Sequence, residues 1–241
     1  MTTDQLMARA RRLWEELATT QVRFVPGRVN IAVAPDSKLS PAGWIGVVAL
    51  GDAAIVTVRS ERAERLVRKH LGTTPVGAVI DATVIQRLLP VMNVLGPATL
   101  AYADESGFRT SATGTSPVEQ LASDHPDLAH PEALAGEADA AEAGLTACDS
   151  PVFAIRADDL IVAAAGYHTW PRRTAHIGVL TAPHWRNKGL AKAVGAAATA
   201  HALANGFLPQ WRARVLPSQR AARTLGFRTL GTQLSFELTD P

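Results

Sequence analysis

The hydrophobic pattern at the start of the chain predicts an amphipathic helix over residues 3–18. Five apolar side chains recur there at the spacing of one helix face: Leu6, Ala10, Leu13, Trp14 and Leu17. Asp4 lies in the first turn, where a carboxylate complements the positive end of the helix dipole. We therefore expect this helix to bury Trp14 and its apolar neighbours in a core.

Apolar and β-branched runs come next and predict a β-hairpin over residues 44–50 and 53–58. The two runs are separated by Gly51 and Asp52, a two-residue turn signal. Ser60 then caps a predicted helix that ends before Gly72. Three shorter elements follow: a strand over residues 76–80, a helix over 83–89 and a strand over 98–102. The first hundred residues are thus predicted to be α/β.

The second half of the chain has its own sequence of elements. Residues 106–119 are rich in Ser, Thr, Gly and Pro, which is typical of a linker, so we place a domain boundary there. The predicted domains are residues 1–105 and 106–241. The later domain is predicted to contain a helix that begins at Pro131 and ends before Gly144, a hairpin over 152–156 and 160–168, and a central strand over 175–181 that precedes a long alanine-rich helix.

Composition narrows the class of protein. The chain has 241 residues, 47% of them hydrophobic, which is enough for a sizeable core. We expect no membrane segment, since no run approaches about 20 apolar residues, and no signal peptide. Cys148 is the only cysteine, which excludes an internal disulfide and fits a cytoplasmic protein. The net charge of +2 comes from mixed charges, so nucleic acid is not an expected partner.

We also expect no metal site. The histidines at His125 and His130 stand beside prolines in a loop-like stretch with nearby aspartates. This spacing does not hold two ligands on one helix face, and cysteine ligands are lacking. These side chains are therefore interpreted as solvated loop residues.

The strongest chemical signal is the turn between the central strand and the alanine-rich helix. The first turn of a helix presents free backbone N–H groups that attract anions. Gly189 and Ala191 leave this position open, and Arg186, Lys188 and Lys192 flank it with positive charge. The order Lys-Gly-Leu excludes a Walker-type phosphate loop, which needs Gly-Lys followed by Ser or Thr. The turn is predicted to bind a polyphosphate, and the spacing alone leaves tight packing as the alternative role.

These residues carry a resemblance to a known family. The hexapeptide Arg-Asn-Lys-Gly-Leu-Ala at residues 186–191 resembles the R-x-x-G-x-G/A signature of the GNAT superfamily of acyl-CoA-dependent N-acyltransferases. Downstream, residues 206–211 and Leu-Gly-Phe at 225–227 are similar to the fifth strand and the closing turn of that family. The resemblance covers about the last half of the chain. It implies an α/β (α+β) domain with a mixed, mainly antiparallel sheet flanked by helices, beside a smaller N-terminal α/β domain, for which a degenerate GNAT-like half is one interpretation.

The resemblance implies acetyl-CoA as the acyl-donor cosubstrate and a small-molecule or protein amine as the acceptor. The implied cofactor-binding residues lie at the end of the central strand, in the following turn and at the start of a later helix: Leu180, Thr181, Arg186, Asn187, Lys188, Gly189, Leu190, Ala191, Lys192 and Ser218. For Ser218, helix capping is an alternative role. The family also places acceptor contacts near Tyr167, His168 and Trp170, for which a structural role is the alternative.

His176 is the candidate general base, because it is the only titratable side chain on the central strand. The family's usual acidic base maps onto Ile177, and adjacent strand residues face opposite sides, so His176 needs a β-bulge to reach the thioester. Glu237 is a weaker alternative. The family's usual acid is missing, since Val215 and Ala222 occupy the Asn and Tyr places. The rival function is a non-catalytic acyl-CoA-binding regulatory module.

Overall fold

The computed structural model describes residues 1–110 and 117–239. The predicted linker over residues 106–119 therefore lies in part outside the described residues. The described chain forms ten strands: β1 (Val29–Val33), β2 (Ile45–Leu50), β3 (Ala53–Val58), β4 (Val91–Tyr102), β5 (Glu119–Leu121), β6 (Val152–Ala157), β7 (Leu160–Trp170), β8 (Thr174–Thr181), β9 (Leu208–Ala213) and β10 (Arg228–Leu238). It also forms seven α-helices: α1 (Thr3–Leu17), α2 (Glu61–Leu71), α3 (Ala82–Leu88), α4 (Ala129–Ala135), α5 (Glu137–Ala143), α6 (Leu190–Ala204) and α7 (Leu216–Thr224).

The chain divides into two compact units. The first comprises Met1–Leu100, Ala213–Val215 and the chain from Thr229 onwards, and the second comprises Ala101–Arg212 and Leu216–Arg228. The second unit is thus formed mainly by the middle of the chain, while β10 belongs to the first. Among the described residues, every helix is too short or too polar to cross a bilayer.

The first unit contains strands in the order β1-β3-β2-β10-β4. The predicted helix α1 and the hairpin of β2 and β3 are confirmed, with β2 and β3 paired antiparallel. The predicted cap of α2 is also confirmed, since the Ser60 hydroxyl accepts a hydrogen bond from the Ala63 amide. Helices and strands meet in one apolar cluster that includes Val47, Val56 and Val67.

Two features of the first unit differ from the predictions. Residues 76–80 form turns and not a strand, because Pro75 begins a tight turn closed by the Ala78 amide. The apolar signal there comes from Val79, which is fully buried in the apolar cluster. Strand β1 was not predicted. It pairs parallel to β3, and a contact between such distant segments is not indicated by any local sequence pattern.

The second unit contains strands in the order β9-β8-β7-β6-β5. The pairs from β5 to β8 are antiparallel and β8 pairs parallel to β9, which confirms the predicted mixed, mainly antiparallel sheet. The predicted helix over residues 131–143 is instead two short helices, α4 and α5. The chain breaks at Gly136, whose φ of 86° is outside the helical region.

The two faces of β8 pack against different helices. Ile177 is paired with Tyr167, whose hydroxyl lies 3.0 Å from His201 Nδ1 on α6, so this face is turned towards α6. On the other face, a Cβ placed on Gly178 would come within 2.0 Å of the Ala143 carbonyl oxygen at the end of α5. His176 shares that second face, two residues from Gly178, because strand side chains alternate.

Candidate functional site

The turn between β8 and α6 has a backbone shaped by two left-handed residues. Asn187 has a φ of 64° and Gly189 a φ of 83°, and α6 begins directly after Gly189. A positive φ is readily adopted by glycine and less so by other residues. Consecutive N–H groups in such a turn form a concave surface that attracts anions.

The N-terminus of α6 is open to such a ligand. No side chain caps Gly189, and the first turn of α6 contains no acidic residue. The Lys192 amide already donates to the Gly189 carbonyl at 3.1 Å. The amides of Leu190 and Ala191, which have no hydrogen-bond partner in the described part of the chain, and the positive end of a 15-residue helix remain available to an anion. This arrangement fits a phosphate group at the place where the sequence predicted it.

Two of the flanking cations already have partners within the chain. Arg186 donates from Nη2 to Asp139 Oδ2 at 2.7 Å and from Nε to the Thr181 carbonyl at 3.2 Å. Lys188 Nζ lies 4.2 Å from the centroid of the Trp185 ring, a cation–π contact. All three of Arg186, Asn187 and Lys188 are exposed, so a ligand can reach them. Arg186 thus links the turn to α5, a contact that the sequence did not suggest.

The other predicted cofactor residues occupy varied positions. Leu180 is buried, whereas Gly189, Leu190, Ala191 and Lys192 are partly exposed at the turn. The Thr181 hydroxyl is buried and has no hydrogen-bond partner among the described residues, so it is a polar group that a ligand would satisfy. The Ser218 hydroxyl accepts a hydrogen bond of 2.9 Å from Trp211 Nε1. The cofactor roles of these residues remain predictions.

Strands β8 and β9 are paired over only part of their length. Their paired residues run from Thr174 and Leu208 to Ile177 and Trp211. Beyond this point β8 continues to Thr181 and remains paired with β7 alone. The edge of β8 that faces β9 is therefore without a paired residue from Gly178 onwards, in the described pairing. This opening leads towards the turn at the start of α6.

His176 lies one residue before this opening, in a buried position. Its ring stacks on Trp170 with a centroid distance of 4.1 Å, and its Nδ1 donates to Gln210 Oε1. Burial lowers the pKa of His176 to about 3, and the nearby charge of Arg212 adds to this shift. The imidazole is therefore neutral at pH 7.

The β-bulge that the base assignment of His176 needed is not present. Pairing of β7 with β8 is continuous from Ala163 and Thr181 to Trp170 and Thr174, and the shift in this region lies between Ile155 and Arg156 on β6. His176 consequently keeps the face opposite to Ile177. The role of His176 as a base remains a prediction. The depressed pKa means that its imidazole is neutral and weakly basic.

The remaining candidates lie in different surroundings. Glu237 is on β10 in the first unit and accepts a hydrogen bond of 2.8 Å from Asn93. Ala222 is buried on α7 and offers no hydroxyl, whereas the Tyr167 hydroxyl is bound to His201 on the α6 face. Among residues 1–110 and 117–239, no group of three or more His, Cys, Asp or Glu side chains is arranged to hold a metal ion.

Two polar features near His176 were missed by the sequence analysis. Gln210 is fully buried on β9 beside His176, and Arg212 forms a 3.9 Å ion pair with Glu142 of α5. A polar residue between Leu208 and Trp211 in a buried strand was the available signal for Gln210. The pairing of Arg212 with Glu142 depends on tertiary structure.

Comparison with known proteins finds similarity to one family within the second half of the chain. Residues 152–232 match the family model of the GNAT acetyltransferases. No curated protein matches the chain. Among solved structures, a GCN5-related N-acetyltransferase from Kribbella flavida is 22% identical with a TM-score of 0.50, covering 66% of this chain and 64% of its own. A GNAT-family protein from Novosphingobium aromaticivorans is 23% identical with a TM-score of 0.47, covering 61% and 65%.

A match over nearly the whole chain is also found. The GCN5-related N-acetyltransferase-like protein from Streptococcus suis is 16% identical with a TM-score of 0.50, covering 98% of this chain and 99% of its own. At these identities the structural matches concern the fold alone. The chain spans less than two thirds of the Kribbella and Novosphingobium proteins. The predicted fold class is confirmed, and residues 152–232 match the GNAT acetyltransferase family that the sequence resemblance named.

Proposed function

We propose that the protein transfers an acyl group from coenzyme A to a primary amine, with acetyl-CoA as the default donor. The observation that carries this proposal is the uncapped N-terminus of α6, which follows β8 in the chain and bears the family signature. The α6 amides would hold the pyrophosphate, and Lys188 and Lys192 would add charge. The Thr181 hydroxyl would contribute a hydrogen bond to the cosubstrate.

The reaction is a direct transfer. The thioester supplies an activated acyl carbon, a C–N bond forms to the amine and the C–S bond breaks with release of coenzyme A. The amine must lose one proton in the process. His176 is the only titratable side chain on β8 that could receive it, but its depressed pKa makes it a weak base, so a chain of water molecules is an alternative acceptor.

The acceptor is an amine of a small molecule or a protein. The face of β8 that contains His176 is turned to α5, whose residue Glu142 brings a carboxylate near Arg212. Because Arg212 is paired with this carboxylate, the charges on this face do not indicate the acceptor. The division at residues 105 and 106 and a cytoplasmic location, which suits the lone Cys148, are further parts of the proposal.

The test is a calorimetric titration with acetyl-CoA and CoA, followed by a thiol-release assay over a panel of small amines, amino acids and peptides. We expect both ligands to bind and at least one amine to release thiol above the rate of acetyl-CoA hydrolysis. Absence of heat with either ligand, together with no thermal shift, would contradict the proposal.

A non-catalytic acyl-CoA-binding regulatory module is the second candidate. Two observations favour it: burial depresses the pKa of His176, and Ala222 stands where the family usually has a tyrosine. The same assays separate the two functions. Binding of acetyl-CoA without thiol release on any amine would favour the regulatory module.

A further inference from the structure

Three residues on the α5-facing side of β8 and β9 form a polar patch: Thr174, His176 and Gln210. All three are buried, with Thr174 and Gln210 fully enclosed. Thr174 and His176 are two residues apart on β8 and therefore share a face, and Gln210 is the residue paired with His176 on β9. The patch is thus continuous across two hydrogen-bonded strands.

Two polar atoms of this patch have no partner among the described residues. They are Gln210 Nε2 and Thr174 Oγ1. Buried polar groups are nearly always hydrogen-bonded, because an unpaired buried group is costly. Two unpaired atoms in one small patch therefore indicate a partner that is not among the described residues, such as a bound ligand.

One polar atom of the Gln210 amide is left without a partner in either orientation of the amide. In the structure Oε1 accepts from His176 Nδ1, so the imidazole carries its proton on Nδ1 and Gln210 Nε2 is the unpaired atom. In the rotated amide Nε2 would donate to Nδ1 of the other tautomer, and Oε1 would lose its partner. The His176 ring stacks on Trp170. In the orientation of the structure, Gln210 Nε2 is therefore a buried donor without an acceptor among the described residues.

The position of the patch relates it to the proposed reaction. The pair of His176 and Gln210 lies one residue before Ile177 and Trp211, where pairing of β8 with β9 ends. A ligand bound where the pairing of β8 with β9 ends would therefore lie next to the pair of His176 and Gln210. Carbonyl oxygens are natural partners for an amide N–H, and both the acyl group and an amide- or carboxyl-bearing acceptor contain one.

We propose that Gln210 is a substrate-binding residue whose Nε2–H group donates a hydrogen bond to a carbonyl oxygen of the reactants. This inference rests on the proposed function and names a further residue of the same site. The Thr174 hydroxyl is the second contact of the patch, and Gln210 Oε1 simultaneously orients the His176 ring.

The test observes the Gln210 side-chain amide by NMR in the full-length, ¹⁵N-labelled protein. Its signal is assigned by its loss in Gln210→Glu. A shift with acetyl-CoA but not with CoA assigns the bond to the acyl carbonyl. A shift with glycinamide but not with ethylamine, both in the presence of CoA, assigns it to the acceptor. Gln233 is the matched control, because its buried Nε2 already donates to the Leu39 carbonyl at 2.6 Å and should not respond.

Affinity gives an independent measurement. Gln210→Glu keeps an acceptor for His176 Nδ1 and removes the Nε2 donor, whereas Gln210→Met removes both. If the ligand is the acyl carbonyl, both variants should lose about tenfold in the preference for acetyl-CoA over CoA, the size of one hydrogen bond. If the ligand of Gln210 is the acceptor amine, the preference for acetyl-CoA over CoA should be unchanged in both variants and the KM for the amine should rise.

The outcomes that overturn the inference are distinct from those that overturn the proposed function. If CoA and acetyl-CoA bind but no probe shifts the Gln210 amide, the unpaired donor holds a resident water only and the inference is wrong. If neither CoA nor acetyl-CoA binds the wild-type protein by calorimetry, the proposed function fails and the inference fails with it.

Discussion

Gly189 and Ala191 occupy the same turn but are unequal targets for mutation. Gly189 has a φ of 83°, so any side chain there strains the backbone as well as blocking a ligand. Ala191 lies in the first helical turn, where every residue type is sterically allowed. A substitution at Ala191 therefore separates binding from folding, whereas one at Gly189 does not.

We predict that Ala191→Glu weakens acetyl-CoA binding at least tenfold while the free energy of unfolding is unchanged or rises by about 0.3–1 kcal/mol. The carboxylate repels a phosphate but complements the positive end of the helix dipole. Calorimetry and urea denaturation measure the two effects. Ala200→Glu makes the same charge change at an exposed position near the other end of α6 and should bind acetyl-CoA normally. If both variants bind acetyl-CoA with equal affinity, the phosphate does not bind at this turn.

Arg186 illustrates a residue whose partner decides its role. Its ion pair with Asp139 must be broken or shared before Arg186 can bind a phosphate. We predict that Asp139→Asn raises CoA affinity roughly two- to fivefold, since an exposed ion pair is worth up to about 1 kcal/mol. Glu137→Gln on the same helix, with the same charge change, should leave the affinity unchanged. Weaker binding in Asp139→Asn would show that the pair preorganises the turn instead.

The buried His176 makes a prediction about pH. Its pKa is about 3 when folded and 6.5 in its ordinary state, so below about pH 6.5 the unfolded chain binds more protons. Stability should therefore fall on acidification from pH 6.5 to 3, by at most about 1.4 kcal/mol per pH unit from this residue. Urea denaturation at pH 7 and pH 5 tests this.

The comparison variants isolate the contribution of His176. In His176→Gln the loss of stability between pH 7 and pH 5 should be smaller than in the wild type. His184→Gln, at an exposed position in the turn before α6, should retain the wild-type slope. An unchanged slope in His176→Gln would mean that the histidine ring is solvated or charged when folded.

At the scale of residues, features that depend on neighbours in the chain were predicted from the sequence, whereas contacts between distant residues were not. The turn that contains Gly189 and the cap at Ser60 depend on neighbours in the chain, and both were found. The contacts of Gln210 with His176 and of Asp139 with Arg186 join residues 34 and 47 positions apart. Such contacts follow from strand pairing and helix packing, which the local pattern does not contain.

At the scale of elements, α5 packs closely against β8 at Gly178. A Cβ on Gly178 would lie 2.0 Å from the Ala143 carbonyl oxygen, so a side chain must displace α5. We predict that Gly178→Ala destabilises the protein by about 1–3 kcal/mol, the usual cost of overpacking. Gly77→Ala, where no atom lies within 4 Å of the added carbon, should change stability by less than about 0.5 kcal/mol. Equal stabilities would mean that α5 moves without cost.

Elements with strong local signals were predicted, and those defined by distant partners were not. The hairpin of β2 and β3 has a turn signal and two apolar runs, and it formed as expected. Strand β1 lacks such signals, since its pairing with β3 bridges a connection of more than ten residues. The break at Gly136 was hidden by the high helix propensity of the alanine and glutamate residues on both sides.

For the whole molecule, ligand binding should raise stability. At a hundred times its dissociation constant, acetyl-CoA should add about 2.7 kcal/mol to the free energy of unfolding. For a chain of this size the Tm should rise by roughly 5–10 °C. Differential scanning fluorimetry with acetyl-CoA, and with adenosine as a control that lacks the pyrophosphate, measures the shift. The same shift with adenosine would exclude the pyrophosphate as its cause.

The placement of β10 in the first unit has a consequence for biosynthesis. Strand β10 pairs with β2, yet the second unit is encoded almost entirely between them. At 5–20 residues per second, roughly 180 residues separate the two strands by about 10–35 seconds of translation. During that interval the edge of β2 that later pairs with β10 has not yet received its partner strand. A nascent chain paused within this stretch would therefore expose a strand edge, and a chaperone that shields such edges would be most needed then.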